Sequence, residues 1–551
     1  MGNLSALTRW GMRFFFCSLL AAGLAWAQQD DASESCAGCH EQKVVGAHEK
    51  VGCARCHTGH QEYPHPEKAP KPVCASCHEE IAKQDAAGVH GEARLAGNEV
   101  APDCGTCHGE AHQVERTKTT QFQAGMPDAC GMCHDQEASQ FKASVHGKAV
   151  AAGIGEAPVC TDCHGAHAIV RHTNRASPVN PLRIRETCGS CHGDVRLSRR
   201  FGLPADRVLS FDASFHGLAA KAGSQTVANC ASCHGFHDIL PSSDPQSKTH
   251  PQNLAATCGQ CHPGAGTRFA LGPMHSWEGR GEPAAVGWVR NAYYLLIPLT
   301  LGLMFLHNAG DFVRKLWARR IDRIAPAQIA LVGSLRMLPF ERIQHALLVI
   351  SFTVLVWTGF ALKYPDQWWA KPLLAWEAEV SFRGTLHRIA AVIFTIVSVV
   401  HLISLFVSVR LREHWKTLLP RRADVYEGLQ GLAYNLGLRR TPPPRSAHSY
   451  VEKAEYWAVV WGAVVMAGTG FMLWANNFML RYFPKAVLDV ASAIHFYEAV
   501  LATAAIVVWH FYFVIFDPDV YPMDLAWLTG RSVRKHEEHH RQPVAKPVAG
   551  D

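Results

Sequence analysis

The chain has 551 residues, with 53 lysines and arginines against 47 acidic residues and a formal net charge of +6. Most of that excess lies in basic clusters that follow apolar stretches, so it reports membrane orientation and gives no reason to expect a nucleic-acid partner. The unusual numbers are 19 cysteines and 32 histidines, and their spacing excludes an ordinary disulfide framework.

In chain order, the first element is an export signal. Arg9 and Arg13 precede an apolar run from Phe14 to Trp26, which closes on Ala25-Trp26-Ala27. This predicts a signal peptide over residues 1–27, cleaved before Gln28, and Cys17 leaves with it.

Every remaining cysteine belongs to a Cys-x-x-Cys-His motif. The first three motifs are Cys36, Cys39 and His40; Cys53, Cys56 and His57; and Cys74, Cys77 and His78. The next three are Cys104, Cys107 and His108; Cys130, Cys133 and His134; and Cys160, Cys163 and His164. The last three are Cys188, Cys191 and His192; Cys230, Cys233 and His234; and Cys258, Cys261 and His262. This is the attachment signature of c-type haem: two thiols add to the vinyl groups and the histidine becomes an axial iron ligand. Zinc ribbons and disulfides need paired cysteines but no histidine in that fixed slot. Nine covalent haems are therefore expected.

The motifs form a duplication that decays along the chain. A unit holds one motif, a lone histidine often followed by glycine, then a second motif with another histidine close behind. Units begin at Cys36, Cys74, Cys130 and Cys188, with a half-unit at Cys258. The lone histidines are His48, His90, His146, His216 and His275; the close followers are His60, His112, His167 and His237. These nine candidates match nine irons, which argues for two histidines on each iron and low potentials. Which histidine serves which haem is open, and His65, His172 and His250 stand in reserve. Methionine ligation cannot be general, since only Met126, Met132 and Met274 occur here. Ligand supply matches demand, so the region reads as an electron wire rather than a reductase with an open iron.

Composition changes near Trp288. Residues 28–287 are polar and histidine-rich, too poor in apolar runs for an ordinary core, so haems must supply the buried mass. Residues 288–535 carry five apolar stretches, about 289–313, 343–363, 385–410, 454–477 and 488–516, each long enough to span an apolar layer of about 30 Å. Arg314, Lys315, Arg319, Arg320 and Arg323 follow the first stretch; Arg410, Arg412, Lys416, Arg421 and Arg422 the third; Arg531, Arg534 and Lys535 the fifth. The positive-inside rule then puts the haem region in the periplasm and the tail, 536–551, in the cytoplasm of a multi-pass inner-membrane protein. The expected fold is mainly α: an irregular haem-packed nonahaem domain and a bundle of five spans.

Histidines inside spans are costly and usually functional. His387 and His401 share the third span and His495 and His510 the fifth. Their spacing of about fourteen residues is about four turns, or about 21 Å of rise. Two such helices can hold two b-type haems, one above the other. Internal symmetry is visible as well: Glu341-Arg342 precedes Thr358-Gly359-Phe360 as Glu452-Lys453 precedes Thr469-Gly470-Phe471. Spans two and three thus look like a copy of spans four and five, a symmetry that favours His401 opposite His510.

Glu341-Arg-Ile-Gln-His345, Thr358-Gly359-Phe360, Leu386-His387-Arg388, Lys453-Ala-Glu-Tyr-Trp457 and the helix with His495 and His510 resemble the cytochrome b subunits of formate dehydrogenase and nickel-iron hydrogenase. The resemblance covers about residues 335–520. It implies two b haems, one held by His387 and His495 and a cytoplasmic one by His345 and His510, with a quinone site near the latter and Asn435 as a polar quinone contact. We follow the resemblance for His345, which leaves His401 as a proton-handling group at the quinone site. The leading span with His307 departs from the family pattern. A nine-haem domain joined to a dihaem b domain also resembles the quinone-linked inner-membrane cytochromes of metal-respiring bacteria. That likeness implies a quinol:cytochrome c-type oxidoreductase, drawing on menaquinone or ubiquinone and serving periplasmic cytochromes or other redox partners. Reverse flow from a periplasmic donor to quinone, and a non-catalytic conduit or anchor in a larger complex, are the alternatives.

Overall fold

The computed structural model describes residues 36–58, 63–65, 71–269, 274–276, 281–322, 335–441, 443 and 448–531. The signal peptide (1–27), the tail (536–551), His60, Arg323, Arg534 and Lys535 lie outside them. The described residues are mainly helical and fall into two compact units. One holds the described residues up to Asp194 with Asn229–His250, the other Val195–Ala228 with the described residues from Pro251 onward.

The first unit is short helices and turns, with little apolar packing of its own. Its apolar cluster is Met126, Val150, Ala157 and Val159, with Phe122, Phe141 and Ile154 against it. Met126 is thus core, not a ligand candidate. The motifs at Cys104–His108, Cys160–His164 and Cys230–His234 are single helical turns. Asp103 and Asn229 cap two of them, accepting the backbone N–H of Thr106 and Ser232. Glycines at 109, 165 and 235 end all three with φ of 85°, 86° and 88°, a conformation that other residues adopt at a cost.

The second unit contains five helices long and apolar enough to cross a membrane: α1 (Ala284–Asp322), α2 (Pro339–Lys363), α3 (Phe382–Val407), α5 (Tyr450–Trp474) and α6 (Lys485–Ala505, wound on to Phe516). A further helix, α4 (Arg422–Asn435), connects α3 to α5. Helix α2 packs on α3, α5 on α6 and α1 on α6. Large apolar side chains such as Phe305, Ile350, Phe406 and Trp461 stay exposed on the spans, as lipid-facing residues must. The duplicated Glu-basic pair has a local cause. Glu341 accepts the N–H of Leu338 at 2.7 Å and Glu452 that of Ser449 at 2.7 Å. Each glutamate is a capping residue that starts its span.

Candidate haem sites

In the first unit the motif histidines face partner histidines across a gap of constant width. Ring centroids lie 6.3 Å apart for His40 and His65, 6.0 Å for His78 and His48, 5.9 Å for His57 and His112, and 6.3 Å for His134 and His90. They lie 6.1 Å apart for His108 and His167, 6.2 Å for His192 and His146, and 6.0 Å for His164 and His237. In the second unit His262 faces His216 at 6.2 Å. Two metal–imidazole bonds of about 2 Å each, plus half a ring on either side, come to about 6 Å. The gaps therefore fit one iron between two imidazoles. Among the described residues no three metal-binding side chains converge as they do on zinc.

The second cysteine of each motif is open to an incoming group. Cys39, Cys56, Cys77, Cys107, Cys133 and Cys261 are exposed, while Cys163, Cys191 and Cys233 are half-buried. None is sealed in a core, as a thiol that must add to a haem vinyl group requires.

The pairing has a rule. A lone histidine faces the first motif of the next unit (His48 with His78, His90 with His134, His146 with His192, His216 with His262). A follower reaches back to the second motif of the unit before (His112 with His57, His167 with His108, His237 with His164). The ring planes obey the same division. Follower pairs are nearly parallel, at 18°, 22° and 24°; lone-histidine pairs are tilted by 34°, 42°, 42° and 41°. His65, held in reserve by the sequence argument, faces His40 of the first motif, whose unit has no predecessor.

Backbone contacts build this interleaving. Val45 donates to His112 O at 2.8 Å, Val89 to Ile169 O at 2.7 Å and Val145 to Ile239 O at 2.9 Å. Each tie joins the lone-histidine segment of one unit to the follower segment of the next. The glycine after the lone histidine is also explained. A Cβ on Gly91, Gly147 or Gly217 would meet the carbonyl oxygen of Asp85, Phe141 or Phe211 at 2.1, 2.1 or 2.0 Å, a clash only glycine avoids. Within a unit the first cysteines of the two motifs touch, thiol to thiol: Cys74 with Cys104, Cys130 with Cys160, Cys188 with Cys230. Cys107 in turn lies near Cys130, and Cys163 near Cys191. From the third motif to the eighth, order in space therefore follows order in the chain. Burial holds His146, His164, His192 and His216 below the ordinary histidine range, which favours the neutral imidazole a metal needs.

The spans bring together two further pairs. His387 and His495 stand 6.5 Å apart and His345 and His510 6.4 Å apart, with planes at 65° and 52°. The internal symmetry predicts His401 opposite His510, but His401 lies elsewhere. Its Nδ1 meets Gln344 Oε1 at 3.3 Å and its Nε2 meets Tyr456 Oη at 3.2 Å. The duplicated Thr-Gly acquires a role that spacing did not show. Thr358 donates its hydroxyl proton to Val354 O at 2.6 Å, so its oxygen accepts Nδ1–H of His387 at 2.8 Å. Thr469 repeats this, donating to Val465 O at 2.7 Å and accepting from His495 Nδ1 at 2.9 Å. Both histidines are thereby fixed with Nε2 as the metal-facing nitrogen. A Cβ on Gly470 would crowd the His495 ring at 3.3 Å, and one on Gly359 would touch the His387 ring at 3.5 Å. Ser210 does for His275 what the threonines do for the span histidines, with Oγ on Arg207 O at 2.7 Å and on His275 Nδ1 at 2.8 Å.

Among the described residues, buried polar atoms with no hydrogen-bond partner include His345 Nδ1 itself, Gln344 Nε2 and Arg342 Nε just before it in the chain, Arg383 Nε one turn before His387, and Oε1 of Glu455, whose other oxygen lies 3.4 Å from His510 Nδ1. Such orphans are rare in native structures, and a polar-edged cofactor such as haem is of the kind that would engage the arginines. The residues present fit the group. Asn435 lies apart from His401, within a cluster on α1, α4 and α5. Its Nδ2 is 3.4 Å from His307 Nε2, and His307 is also hydrogen-bonded to Tyr450 Oη. The two quinone-site candidates thus belong to different clusters.

Histidine pairs spaced for iron, behind haem-attachment motifs in one part and on spans in the other, define a membrane electron-transfer protein that carries haem c and haem b. Comparison with known proteins agrees. Residues 336–522 match the family described as prokaryotic cytochrome b561. The chain is 24% identical over 212 residues to the formate dehydrogenase cytochrome b556 subunit of Haemophilus influenzae, covering 38% of this chain and 83% of that one. It is 31% identical over 170 residues to the multiheme cytochrome MtrA of Shewanella baltica, covering 30% of this chain and 44% of that relative, less than half its length. No solved structure matches. The chain thus combines similarity to a multihaem c-type cytochrome with similarity to a cytochrome b subunit.

Proposed function

We propose that this protein oxidises quinol, menaquinol or ubiquinol, at the cytoplasmic side of the inner membrane and delivers the electrons to a periplasmic acceptor. The observation that carries this is the pair of histidine gaps in the spans, matched in width to the gaps behind the Cys-x-x-Cys-His motifs. His387 with His495 and His345 with His510 would hold two haem b, and the nine motifs nine haem c. When bound, these haems supply the one-electron carriers between the quinol and the acceptor.

The chain's own residues supply the rest. Quinol becomes quinone by losing two electrons and two protons, so a group must take protons beside the carrier nearest the cytoplasm. His401 suits that task, because Gln344, its hydrogen-bond partner, is adjacent in sequence to His345. Tyr456 on its Nε2 and Trp415, with ring centroids 4.9 Å away, hold the imidazole in place. Trp415 in turn donates to Glu341 at 2.8 Å, extending the polar line towards the start of α2. Asn435 with His307 and Tyr450 is the second candidate cluster.

The test is to add a reduced menaquinone analogue anaerobically to the purified holoprotein and follow the b and c absorption bands. Reduction of b before c, blocked by quinone-site inhibitors and slowed at least tenfold in His401→Ala, supports the reading. Bands that respond to dithionite but not to quinol would falsify it.

A further inference from the structure

We infer that the ninth motif is the junction between the two haem sets, built directly onto the membrane bundle, and that Asn477 is its positioning residue. The inference rests on reading His216 with His262, and His387 with His495, as haem ligand pairs. All the groups involved lie in the second compact unit.

Three contacts carry it. First, Nδ1 of His262 lies 3.0 Å from Oδ1 of Asn477, in the short helix Asn476–Tyr482 between α5 and α6. An amide oxygen can only accept, so Nδ1–H donates and Nε2 is left as the ligating nitrogen. Second, the backbone after the motif lies on the same helix: a Cβ on Gly264 would stand 3.8 Å from Arg481 Cδ. Third, the partner histidine is anchored too. The helix Phe215–Lys221, which carries His216, packs on α2. The bundle continues from there into α6, which begins at Lys485.

The same elements lead straight to the span histidines. Lys485 and His495 lie on one helix, ten residues or about 15 Å apart. Thr469, which orients His495, lies on α5, just before Asn477. One electron crossing here leaves the b side ferric and the c side ferrous, with no other co-reactant.

Asn477 has a chemical signature separable from a structural one. Accepting Nδ1–H makes the imidazole a stronger donor and favours ferric iron. In the full-length holoprotein, Asn477→Leu should raise the potential of one c haem about tenfold in equilibrium terms, about 59 mV for one electron. Asn477→Asp, a stronger acceptor, should lower the same haem's potential. The haem is identified as the titration component missing from the double variant Cys258→Ala with Cys261→Ala. Shifts of the same sign in both Asn477 variants, or none, would overturn the positioning role.

The junction is tested without quinone. In proteoliposomes, reduced flavodoxin outside the vesicle reduces the c haems, and the b band follows in the wild type. In the double variant Cys258→Ala with Cys261→Ala the c bands should still reduce while b reduction falls at least a hundredfold. In the double variant Cys36→Ala with Cys39→Ala, which removes the first haem, b reduction should keep its rate. Unslowed b reduction without the ninth haem overturns the junction alone. A wild-type protein with no b absorption overturns the ligand reading beneath it. Asn477→Leu keeps all eleven haems, so misfolding of the cysteine variant does not remove the test.

Discussion

The two regions hold the same chemical pair, imidazole opposite imidazole, by different means. In the motif region the histidines sit on short helices or in the turns beside them, tied by single backbone hydrogen bonds such as Val145 to Ile239, with a small apolar cluster. In the spans each histidine sits within a helix of six turns or more, and in one pair both rings are oriented by a threonine. The difference follows from how the cofactor is retained. Two thioether bonds hold a c haem whatever its distal ligand does, so a lightly built frame suffices. A b haem is held by its ligands and pocket alone, so the pocket must be fixed in advance.

The largest effect that can break this comparison comes from removing one ligand in each region. His495→Ala should abolish one b haem, halving the b content by pyridine haemochrome. His146→Ala should leave the c-haem count unchanged and convert one haem to a high-spin form, visible by magnetic resonance. Equal haem loss from both variants would undo the distinction.

Next in size is Gly147→Ala, whose new methyl would stand 2.1 Å from Phe141 O. Overpacking of this kind costs about 1–3 kcal/mol, and thermal unfolding of the motif region should show it as a lower Tm. Gly125→Ala, with nothing within 4 Å of its Cβ, is the control.

Thr358→Val sharpens the comparison on the membrane side. Loss of an outer-shell partner typically costs about 10–100-fold in affinity or activity, read here as faster b-haem loss to apomyoglobin. Thr358→Ser, which keeps the hydroxyl, should restore retention; failure to do so would mean the methyl group matters, not the hydrogen bond.

The smallest effect is spectroscopic. Near-parallel follower pairs should give rhombic low-spin signals, while the tilted c pairs and the two span pairs, at 52° and 65°, should give broader signals of higher anisotropy. One uniform class of signal would contradict the alternating geometry.

Much of this was legible in the sequence because motif and spacing carry the chemistry directly. Cys-x-x-Cys-His fixes where a c haem attaches, and spans show themselves by length and hydropathy. Five spans were expected, and the described residues contain five helices of that kind. The pairing of histidines was not legible, since it depends on which segments meet across units. The follower His112 is only four residues from His108, yet it faces His57. Symmetry alone points to His401 for His510, whereas the resemblance points to His345, the residue that faces it. The copy is faithful in its caps and threonines, but Tyr456 stands at the position matching His345 and takes up the Nε2 of His401 instead. Asn477 carried no signal at all, because a lone asparagine in a short interhelical segment gains meaning only from what lands on it.

The interleaved ligands also impose a timetable on biogenesis. A chain is made N-terminus first, so His48, His90 and His146 already exist when the motifs they face are completed at His78, His134 and His192. His57, His108 and His164 must wait for His112, His167 and His237, which arrive a full repeat later. Of the eight described pairs, four could therefore close as soon as haem is attached, while the other four would pass through a five-coordinate stage whose length is set by the rate at which the distal histidine emerges.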